Sequence, residues 1–380
     1  MTASPTPYDD ALRLLRALSG THGIRASMST NANYGAVFTR DAVMAGIAGL
    51  LLADDTISRS LVATLEQLRE LQGAEGQIAS NYARGVGESP QVSFGSLVPR
   101  IDAPLWYLIG VGLAARAGAL DPESFRASVQ RVVAMLNALE YNGRHLIYVP
   151  AGGDWADEYI YEGYVLHDQV LRAWGLRLVG DLYAQPGWRH KATQIQDTIA
   201  ASFWPAGATG NYPIAAYTPT RVFDVFDLAT CSLLAMSNTA PAFTSTALDW
   251  IDEHFLVQGQ LPPAFSPVIN EGDPDWPALR RYHLHGFRNT PHEYHNGGVW
   301  TIWLGWLALS LSRTGRQRAL DRLCDAAGTR FAAIGPYTFE EYFHGQSGRP
   351  LGTPHMAYSA TGVVFLHLAR TPERLALLRQ

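Results

Sequence analysis

The sequence predicts an all-α protein, an (α/α)6 barrel in which six outer helices surround six inner ones. Helical periodicity dominates the 380-residue chain, and alternating strand patterns extend over only a few positions. Two kinds of helix alternate, and the apolar kind recurs about every 60 to 70 residues, a spacing typical of a repeated unit. With 47% hydrophobic and 17% charged residues, the chain can form a single domain, residues 1–380, around a large core.

The apolar residues follow a helical repeat in twelve segments along the chain. The expected helices are 8–18, 40–53, 55–72, 101–117, 122–140, 164–181, 187–203, 224–237, 240–255, 296–313, 315–333 and 355–370.

The alternation between the two kinds of helix predicts their layer. Helices 122–140 and 315–333 carry a polar stripe, as expected of a helix with one solvated face. Helices 101–117, 296–313 and 355–370 are apolar nearly all round, so they should be buried on every side. A closed ring buries six such helices, whereas an open solenoid of helix pairs would leave one face in water.

The connections between helices differ in length in the same alternating way. Those that lead from an inner to the next outer helix are short, and those that lead to an inner helix are long. The long ones are 18–40, 72–101, 140–164, 203–224, 255–296 and 333–355. In a barrel they all emerge at one end, over the N-termini of the inner helices, and long loops in a compact domain usually carry function.

Polar and aromatic residues cluster in these loops, for example in "NYGAVFTRD", "GGDWADEYIYEG" and "EEYFHGQSGRPLG". Acids, amides, arginines and aromatic rings that converge at the mouth of a barrel suit a polar polyhydroxy ligand. A small-molecule carbohydrate is therefore the expected partner.

Composition excludes several other classes of partner. The net charge is −5 and the basic residues are scattered, so nucleic acid is not expected as a partner. Cys231 and Cys324 lie far apart, which supports neither a disulfide framework nor a zinc finger. The N-terminus lacks a secretory pattern and no apolar run is long enough for a membrane span, so we expect a cytoplasmic protein without a membrane partner.

The histidines of the fifth long loop raise the question of a metal site, because imidazole is a common ligand. They are His283, His285, His292 and His295. Neither a cysteine nor a closely spaced carboxylate triad accompanies them. We therefore expect no metal and no cofactor.

Four segments resemble the alkaline/neutral invertase family of glycoside hydrolases. "YGAVFTRD" is similar to its Y-x-x-V-F-x-R-D segment, "RIDAPLWYLIGVG" to V-D-S-x-L-W-W, "EYHNGG" to Y-H-N-G-G-S-W, and "EYFHGQSGR" to E-Y-Y-D-G-x-x-G-R. The family shares its (α/α)6 fold with trehalases, processing α-glucosidases and amylo-α-1,6-glucosidases. The resemblance implies an inverting hydrolase that cleaves an α-glucosidic bond in a sucrose-like disaccharide, a glucoside or a short α-glucan.

The resemblance also implies the catalytic pair, with Asp157 as general acid and Glu341 as general base. These residues precede the third and sixth inner helices, so they should face each other across the barrel mouth. A gap of about 6.5–9.5 Å between the carboxyl groups leaves room for water and predicts inversion. Asp154 is an alternative acid, because the ring of Trp155 beside it would raise its pKa. Glu340 is expected to be a solvated neighbour of the base.

Further residues of the loops and helix starts are expected to bind the sugar. They are Tyr34, Arg40, Asp41, Asp102, Trp106, Asp154, Trp155, Arg288, Glu293, His295, Asn296 and Tyr342, with Trp300 as a further stacking candidate. Each also has a structural alternative, since a carboxylate favours a helix start and an aromatic ring is often core.

Three positions depart from the family pattern. Glu158 and Tyr159 stand where the family has two arginines, and Glu293 precedes the Y-H-N-G-G segment. The resemblance implies that such positions line the sugar site, so these departures put sucrose as the substrate in doubt. Two other functions stay open: a sugar epimerase or isomerase that uses histidines of the bowl, and a sugar-binding protein without catalysis.

Overall fold

A computed structural model describes residues 6–29, 33–84, 89–95, 98–204, 211–282 and 286–378. Helices dominate, and the strands are two or three residues long, which confirms the all-α prediction. In chain order the α-helices are α1 (Pro7–Leu18), α2 (Thr39–Leu52), α3 (Asp55–Glu70), α4 (Asp102–Arg116), α5 (Arg126–Ala138), α6 (Leu166–Leu182), α7 (Pro186–Ser202), α8 (Leu228–Met236), α9 (Pro241–His254), α10 (Trp276–Leu279), α11 (Thr301–Arg313), α12 (Gln317–Ala333) and α13 (Ala357–Leu368).

All twelve expected helices are present, and three of them start four or five residues later than expected. Helix α5 begins at Arg126 because residues Pro122–Phe125 form a 3-10 turn. Helix α8 begins at Leu228 because the residues before it form strands, and α11 begins at Thr301 because the Y-H-N-G-G segment forms turns. The four-residue helix α10 was not expected. Three 3-10 turns complete the helical elements: Pro122–Phe125, Leu256–Gln258 and Pro372–Leu378.

Six helices pack against one another in a closed cycle, in the order α2, α4, α6, α8, α11, α13 and back to α2. Their side chains are buried almost throughout, as the apolar patterns predicted. Helices α11 and α13 approach so closely at Gly362 that a Cβ atom there would collide with the carbonyl oxygen of Thr301. The outer helices α1, α3, α5, α7, α9 and α12 pack against α13, α2, α4, α6, α8 and α11 respectively.

Short strands form in the long loops and at the starts of the inner helices. They are β1 (Ser19–Gly20), β2 (Gly23–Ile24), β3 (Val37–Phe38), β4 (Asn81–Ala83), β5 (Gln91–Ser93), β6 (Tyr164–Val165), β7 (Ala216–Thr218), β8 (Arg221–Phe223), β9 (Phe226–Asp227), β10 (Phe265–Ser266), β11 (Tyr342–Phe343) and β12 (Pro350–Leu351).

Backbone hydrogen bonding joins each long loop to the next around the cycle. Strand β3 pairs with β4, β6 with β7, and β9 with β10, so the start of an inner helix is tied each time to the following loop. The Ile101 N–H donates to the carbonyl of Gly153 at 2.6 Å, and β-bridges join Val299 to Phe343 and Met356 to Ser27. These six links hold the long loops together at one end of the helix cycle.

Among the described residues, no helix is both long enough and apolar enough to cross a bilayer.

Candidate active site

A cavity of about 560 Å³ opens among the long loops, above the N-termini of the inner helices. Its wall includes residues from the loops that precede α2, α4, α6, α11 and α13, and from the first turns of α2, α4 and α13. This volume is within the usual range for a small-molecule site.

Nine of the fourteen residues predicted for the site line this cavity. They are Tyr34, Arg40, Asp41, Asp102, Trp155, Asp157, Arg288, His295 and Glu341. Trp300, the additional stacking candidate, also lines it.

Glu341 lies in the wall with only 6% of its surface exposed. The Tyr34 hydroxyl donates to Oε1 at 2.9 Å, and the Thr353 N–H donates to Oε2 at 3.4 Å. Burial raises the pKa of the Glu341 carboxyl, although Arg288 and the Tyr34 hydrogen bond oppose the shift. At Gly352, where φ is +82°, a Cβ atom would lie 2.6 Å from Oε2, so glycine is needed for the loop to cover this carboxylate.

Asp157 is more open, with 31% of its side chain exposed. Its Oδ2 atom accepts a hydrogen bond from Arg100 Nη2 at 2.7 Å, and Arg100 also donates to the carbonyl of Gly152. Arg100 thus positions the carboxylate from the neighbouring loop. The sequence analysis did not single out this arginine, although it lies in the loop directly before Asp102.

The first turns of α2 and α4 are joined by an ion pair between Arg40 Nη1 and Asp102 Oδ2 at 2.7 Å. Asp41 Oδ1 lies 3.4 Å from Arg40 Nε on the other side. Burial raises the pKa of the Asp41 carboxyl to about 6, with the positive charge of Arg40 acting in the opposite direction. These three side chains form a charged corner of the cavity.

Several buried polar atoms of the wall have no hydrogen-bond partner within the described residues. Among them are both ring nitrogens of His295, the Tyr358 hydroxyl and Nε1 of Trp155. Burial lowers the pKa of His295 well below its ordinary value, so the imidazole is neutral at physiological pH. A neutral imidazole and a phenol each donate and accept hydrogen bonds, which matches the hydroxyl groups of a ligand.

The apolar part of the wall is an aromatic cluster around Trp155. Its ring stacks on Phe265 at 5.5 Å between centroids and meets Trp300 and His295 edge-on at 5.9 and 5.2 Å. Trp300 Nε1 donates to the carbonyl of Tyr294 at 3.0 Å. Tyr294 and Tyr358 were missed in the sequence; Tyr358 lies in the first turn of an inner helix, the position that pointed to Arg40, Asp41 and Asp102.

Trp106 and Tyr342 do not belong to the cavity wall. Trp106 lies one turn into α4, below the mouth, where it is fully buried and contacts Trp174 and Trp306 at 6.4 and 6.0 Å between centroids. Tyr342 is buried behind Trp300, with the two rings stacked at 5.6 Å. Both are core residues in this structure.

Asp154, Glu293 and Asn296 also lie outside the wall. Asp154 is buried and accepts a hydrogen bond from the Tyr161 hydroxyl at 2.7 Å. Glu293 accepts from the Thr290 hydroxyl at 2.7 Å, within its own loop. Asn296 bonds the backbone N–H and carbonyl of Ile269, each at 2.8 Å, so its amide holds the loop.

The positions that depart from the invertase pattern do not line the cavity either, contrary to the expectation. Glu158 accepts hydrogen bonds from Arg288, whose guanidinium lies 4.0 Å over the ring of Tyr294. Tyr159 is buried and stacks on Phe265 at 4.1 Å. Glu158 therefore affects the cavity only through Arg288.

The two described histidines among those considered for a metal do not belong to a group spaced to hold an ion. His292 stacks on His344 at 5.8 Å, and His295 lines the cavity, while His283 and His285 lie outside the described residues. Over the described ranges, the only set of side chains spaced to hold a metal ion comprises Asp154, His167 and Asp168. Of these three, the sequence analysis singled out only Asp154.

Comparison with known proteins found a likeness to invertases over part of the chain. Residues 276–371 match the family described as alkaline and neutral invertase. The probable alkaline/neutral invertase D of Arabidopsis thaliana is 30% identical over 146 residues, which cover 38% of this chain and 26% of that protein. Cytosolic invertase 1 of Oryza sativa subsp. japonica is 28% identical over 146 residues, with 38% and 25% covered. The matched part spans about a quarter of the length of these relatives.

Solved structures extend the likeness in fold over most of the chain. The GH63 mannosylglycerate hydrolase from Thermus thermophilus, in complex with glucose, is 13% identical and has a TM-score of 0.70, with 95% of this chain and 99% of that chain covered. A wild-type glycosidase is 14% identical with a TM-score of 0.67, and covers 98% and 97%. The predicted resemblance to the invertase-like glycoside hydrolases is confirmed, and at these identities the solved structures show a shared fold.

Proposed function

We propose that this chain is an inverting glycoside hydrolase that cleaves an α-glucosidic bond of a small soluble carbohydrate. The observation that carries the proposal is that Asp157 and Glu341, from the loops before α6 and α13, line one cavity. Since α6 and α13 are the third and sixth members of the helix cycle, the two carboxylates approach the cavity from opposite sides. A glycosidase requires two carboxyl groups that flank the scissile bond.

The architecture belongs to the same proposal. The closed cycle of six buried helices, each covered by an outer helix, supports an (α/α)6 barrel that forms one catalytic domain over residues 1–380. Cytoplasmic location and a small-molecule partner are part of the proposal as well. The rice relative named a cytosolic invertase supports them.

Asp157 is the proposed acid and Glu341 the proposed base. Asp157 has to part from Arg100 and take up a proton from solvent before its carboxyl can protonate the glycosidic oxygen. As the C1–O bond breaks, water attacks C1 from the opposite face and loses a proton to Glu341. The buried position of Glu341 strengthens its basicity once it is ionised, and Tyr34 orients it.

The chemistry of the wall supports a neutral sugar. His295 and Tyr358 offer free hydrogen-bonding capacity, and the rings of Trp155 and Trp300 can pack on a pyranose face. The three arginines of the wall are engaged in ion pairs, Arg40 with Asp102, Arg100 with Asp157 and Arg288 with Glu158. In this arrangement none of the three arginines is free to pair with a ligand carboxylate such as that of mannosylglycerate.

The epimerase alternative has less support. Within the described part of the chain, His295 is the only histidine in the cavity wall, and two-sided proton exchange at a sugar carbon needs a second such group. His167, in the first turn of α6, is fully buried and does not line the cavity.

The test is a panel of α-linked disaccharides and glucosides, followed by proton NMR of the released sugar in the first minutes. We expect reducing sugar to appear with the anomeric configuration opposite to that of the substrate. Retention of configuration would overturn the inverting mechanism. Interconversion of free sugars without release, or saturable binding without turnover, would overturn the hydrolase proposal.

A further inference from the structure

Three side chains that can bind a metal lie together at the start of α6 and in the loop before it. Asp154, His167 and Asp168 each place a potential ligand atom within 4.8 Å of those of the other two. Their exposed fractions are 2%, 0% and 0%. None of them lines the cavity, but the loop of Asp154 also carries Trp155 and Asp157 of its wall.

The hydrogen bonding of this cluster is incomplete. Asp154 is held by the Tyr161 hydroxyl at 2.7 Å and by the N–H of Ala156 at 2.9 Å. His167 has no hydrogen-bond partner at either ring nitrogen, and Asp168 has none at either carboxylate oxygen, within the described residues. Fully buried polar groups are nearly always partnered, and an unpaired buried carboxylate is especially unfavourable.

Without an ion the two carboxyls of the cluster keep their protons at neutral pH. Burial, with the nearby carboxylates, raises the pKa of Asp154 to about 8 and that of Asp168 well above its ordinary value. A divalent cation would take the place of these protons and occupy the open lone pairs of His167 and Asp168.

We propose that Asp154, His167 and Asp168 form a buried site for a divalent cation of the transition-metal class, with Zn²⁺ as the defining probe. Two carboxylates and one imidazole are a ligand set that Zn²⁺ accepts, at about 2.0 to 2.2 Å from each atom. Ligand atoms within 4.8 Å of one another need only small rotations to reach those distances. The Tyr161 hydroxyl orients Asp154, as outer hydrogen bonds commonly do for metal-binding carboxylates.

The site is structural because it is closed off from the cavity wall. The ion would fix the first turn of α6 against the loop that carries Asp157. It would also take the place of the protons that the two buried carboxyls hold without it. Metal binding and the folded state are then coupled, and the ion should raise thermal stability.

The experiment uses the full-length protein without a histidine tag, stripped with a chelator and dialysed into metal-free buffer at about neutral pH. Zn²⁺ is titrated by calorimetry, bound metal is counted by mass spectrometry after desalting, and thermal unfolding is followed with and without Zn²⁺. Asp168→Asn and His167→Gln each remove one ligand with little change of volume. Glu341→Gln is the matched control, since it removes a buried carboxylate from the cavity and not from the cluster.

We expect one equivalent of Zn²⁺ in the wild type and in Glu341→Gln, and affinity at least about ten-fold weaker in the two cluster variants. The rise in Tm with Zn²⁺ should disappear in the same variants. Absence of saturable binding by the folded wild type would overturn the proposal, in favour of a proton shared between Asp154 and Asp168. Binding that persists in both cluster variants would also overturn it, because the ion would then be adventitious or bound elsewhere. If one variant does not fold by circular dichroism, the other decides.

Discussion

Asp154 and Asp157 lie three residues apart on one loop and occupy two different layers of the molecule. Asp157 lies in the cavity wall with 31% of its side chain exposed and an arginine against it. Asp154 lies in the layer below, where 2% of the residue is exposed and the neighbours are His167 and Asp168. The turn between them, and not their residue type, therefore decides which carboxylate meets a ligand.

Substitution of the two carboxylates of the cavity, Glu341 and Asp157, should have the largest effect on activity, whereas substitutions in the layers below should mainly affect stability. Glu341→Gln and Asp157→Asn should each lower kcat on a disaccharide by about 10³-fold or more, because proton transfer and water activation are lost. Their Tm values should stay near that of the wild type. Retained turnover in either variant would contradict the catalytic pair.

Aryl glycosides with a good leaving group distinguish the two roles. Such substrates need little protonation, so Asp157→Asn should keep far more of its activity on them than on the disaccharide. Glu341→Gln should lose activity on both. If instead Glu341→Gln is the variant that recovers, the acid and base are the reverse of our assignment.

Trp106→Ala tests the core that lies below the mouth. We expect it to lower the free energy of unfolding by about 3–5 kcal/mol, because a fully buried indole is replaced by a cavity. Urea unfolding measures the change, and Trp106→Phe is the control, with a smaller loss. A large drop in substrate affinity with unchanged stability would contradict this core role and would indicate that Trp106 binds the sugar.

Asp41, in the charged corner of the cavity, should make the folding stability depend on pH. The pKa of the Asp41 carboxyl is about 6 in the folded protein, against an ordinary value of 3.8. The folded protein therefore binds the carboxyl proton more tightly than the unfolded chain does. A raised carboxyl pKa means that folding stability falls as pH rises from about 4 to about 6, by up to about 3 kcal/mol. Asp41→Asn should therefore gain stability relative to the wild type over that window, as measured by denaturation at each pH. A difference that is constant across this range would contradict the shift.

Tyr34→Phe is expected to have a moderate effect. It removes one hydrogen bond to Glu341, so kcat should fall about ten-fold, equivalent to about 1.4 kcal/mol. Because that bond favours the carboxylate anion, its loss should raise the pKa of Glu341 and move the acidic limb of the kcat/KM profile to higher pH. An unmoved limb would show that another group titrates there.

Glu340→Gln should have the smallest effect. Glu340 bonds the Thr338 hydroxyl within its own loop and does not line the cavity. Activity should stay within about two-fold of the wild type, since the change leaves the site intact. A loss as deep as that of Glu341→Gln would mean that the two adjacent glutamates are not separated in function.

Periodicity was sufficient to predict the helices and their alternation, because an inner helix must be apolar on all faces while an outer one is not. It could also predict which residues start the inner helices, and Arg40, Asp41 and Asp102 lie in the cavity wall as expected. It could not predict the loop conformations, where a single turn decides whether a side chain faces the cavity or the core. Tyr342 and Asn296 follow the same motif pattern as true wall residues, yet they support the wall from behind.

The buried cluster shows a second limit of the sequence. His167 and Asp168 are polar residues in an otherwise apolar helix, and the helical pattern alone assigns them no role. Their approach to Asp154 depends on tertiary contacts that the pattern does not contain. Arg100 was similarly hidden, since its contact with Asp157 joins two separate loops. Such partners become visible only when the loops are placed in space.

The contacts between the first and the last long loop, which close the helix cycle, also determine the stage of folding at which the cavity is completed. Ser27 Oγ donates to the carbonyl of Pro354 across 327 residues of sequence, and Tyr34 reaches Glu341 across 307. A nascent chain can pair its early helices as they emerge, but contacts of this span form only after nearly the whole sequence is available. The first and last loops therefore meet late in folding, and the cavity stays incomplete until they do.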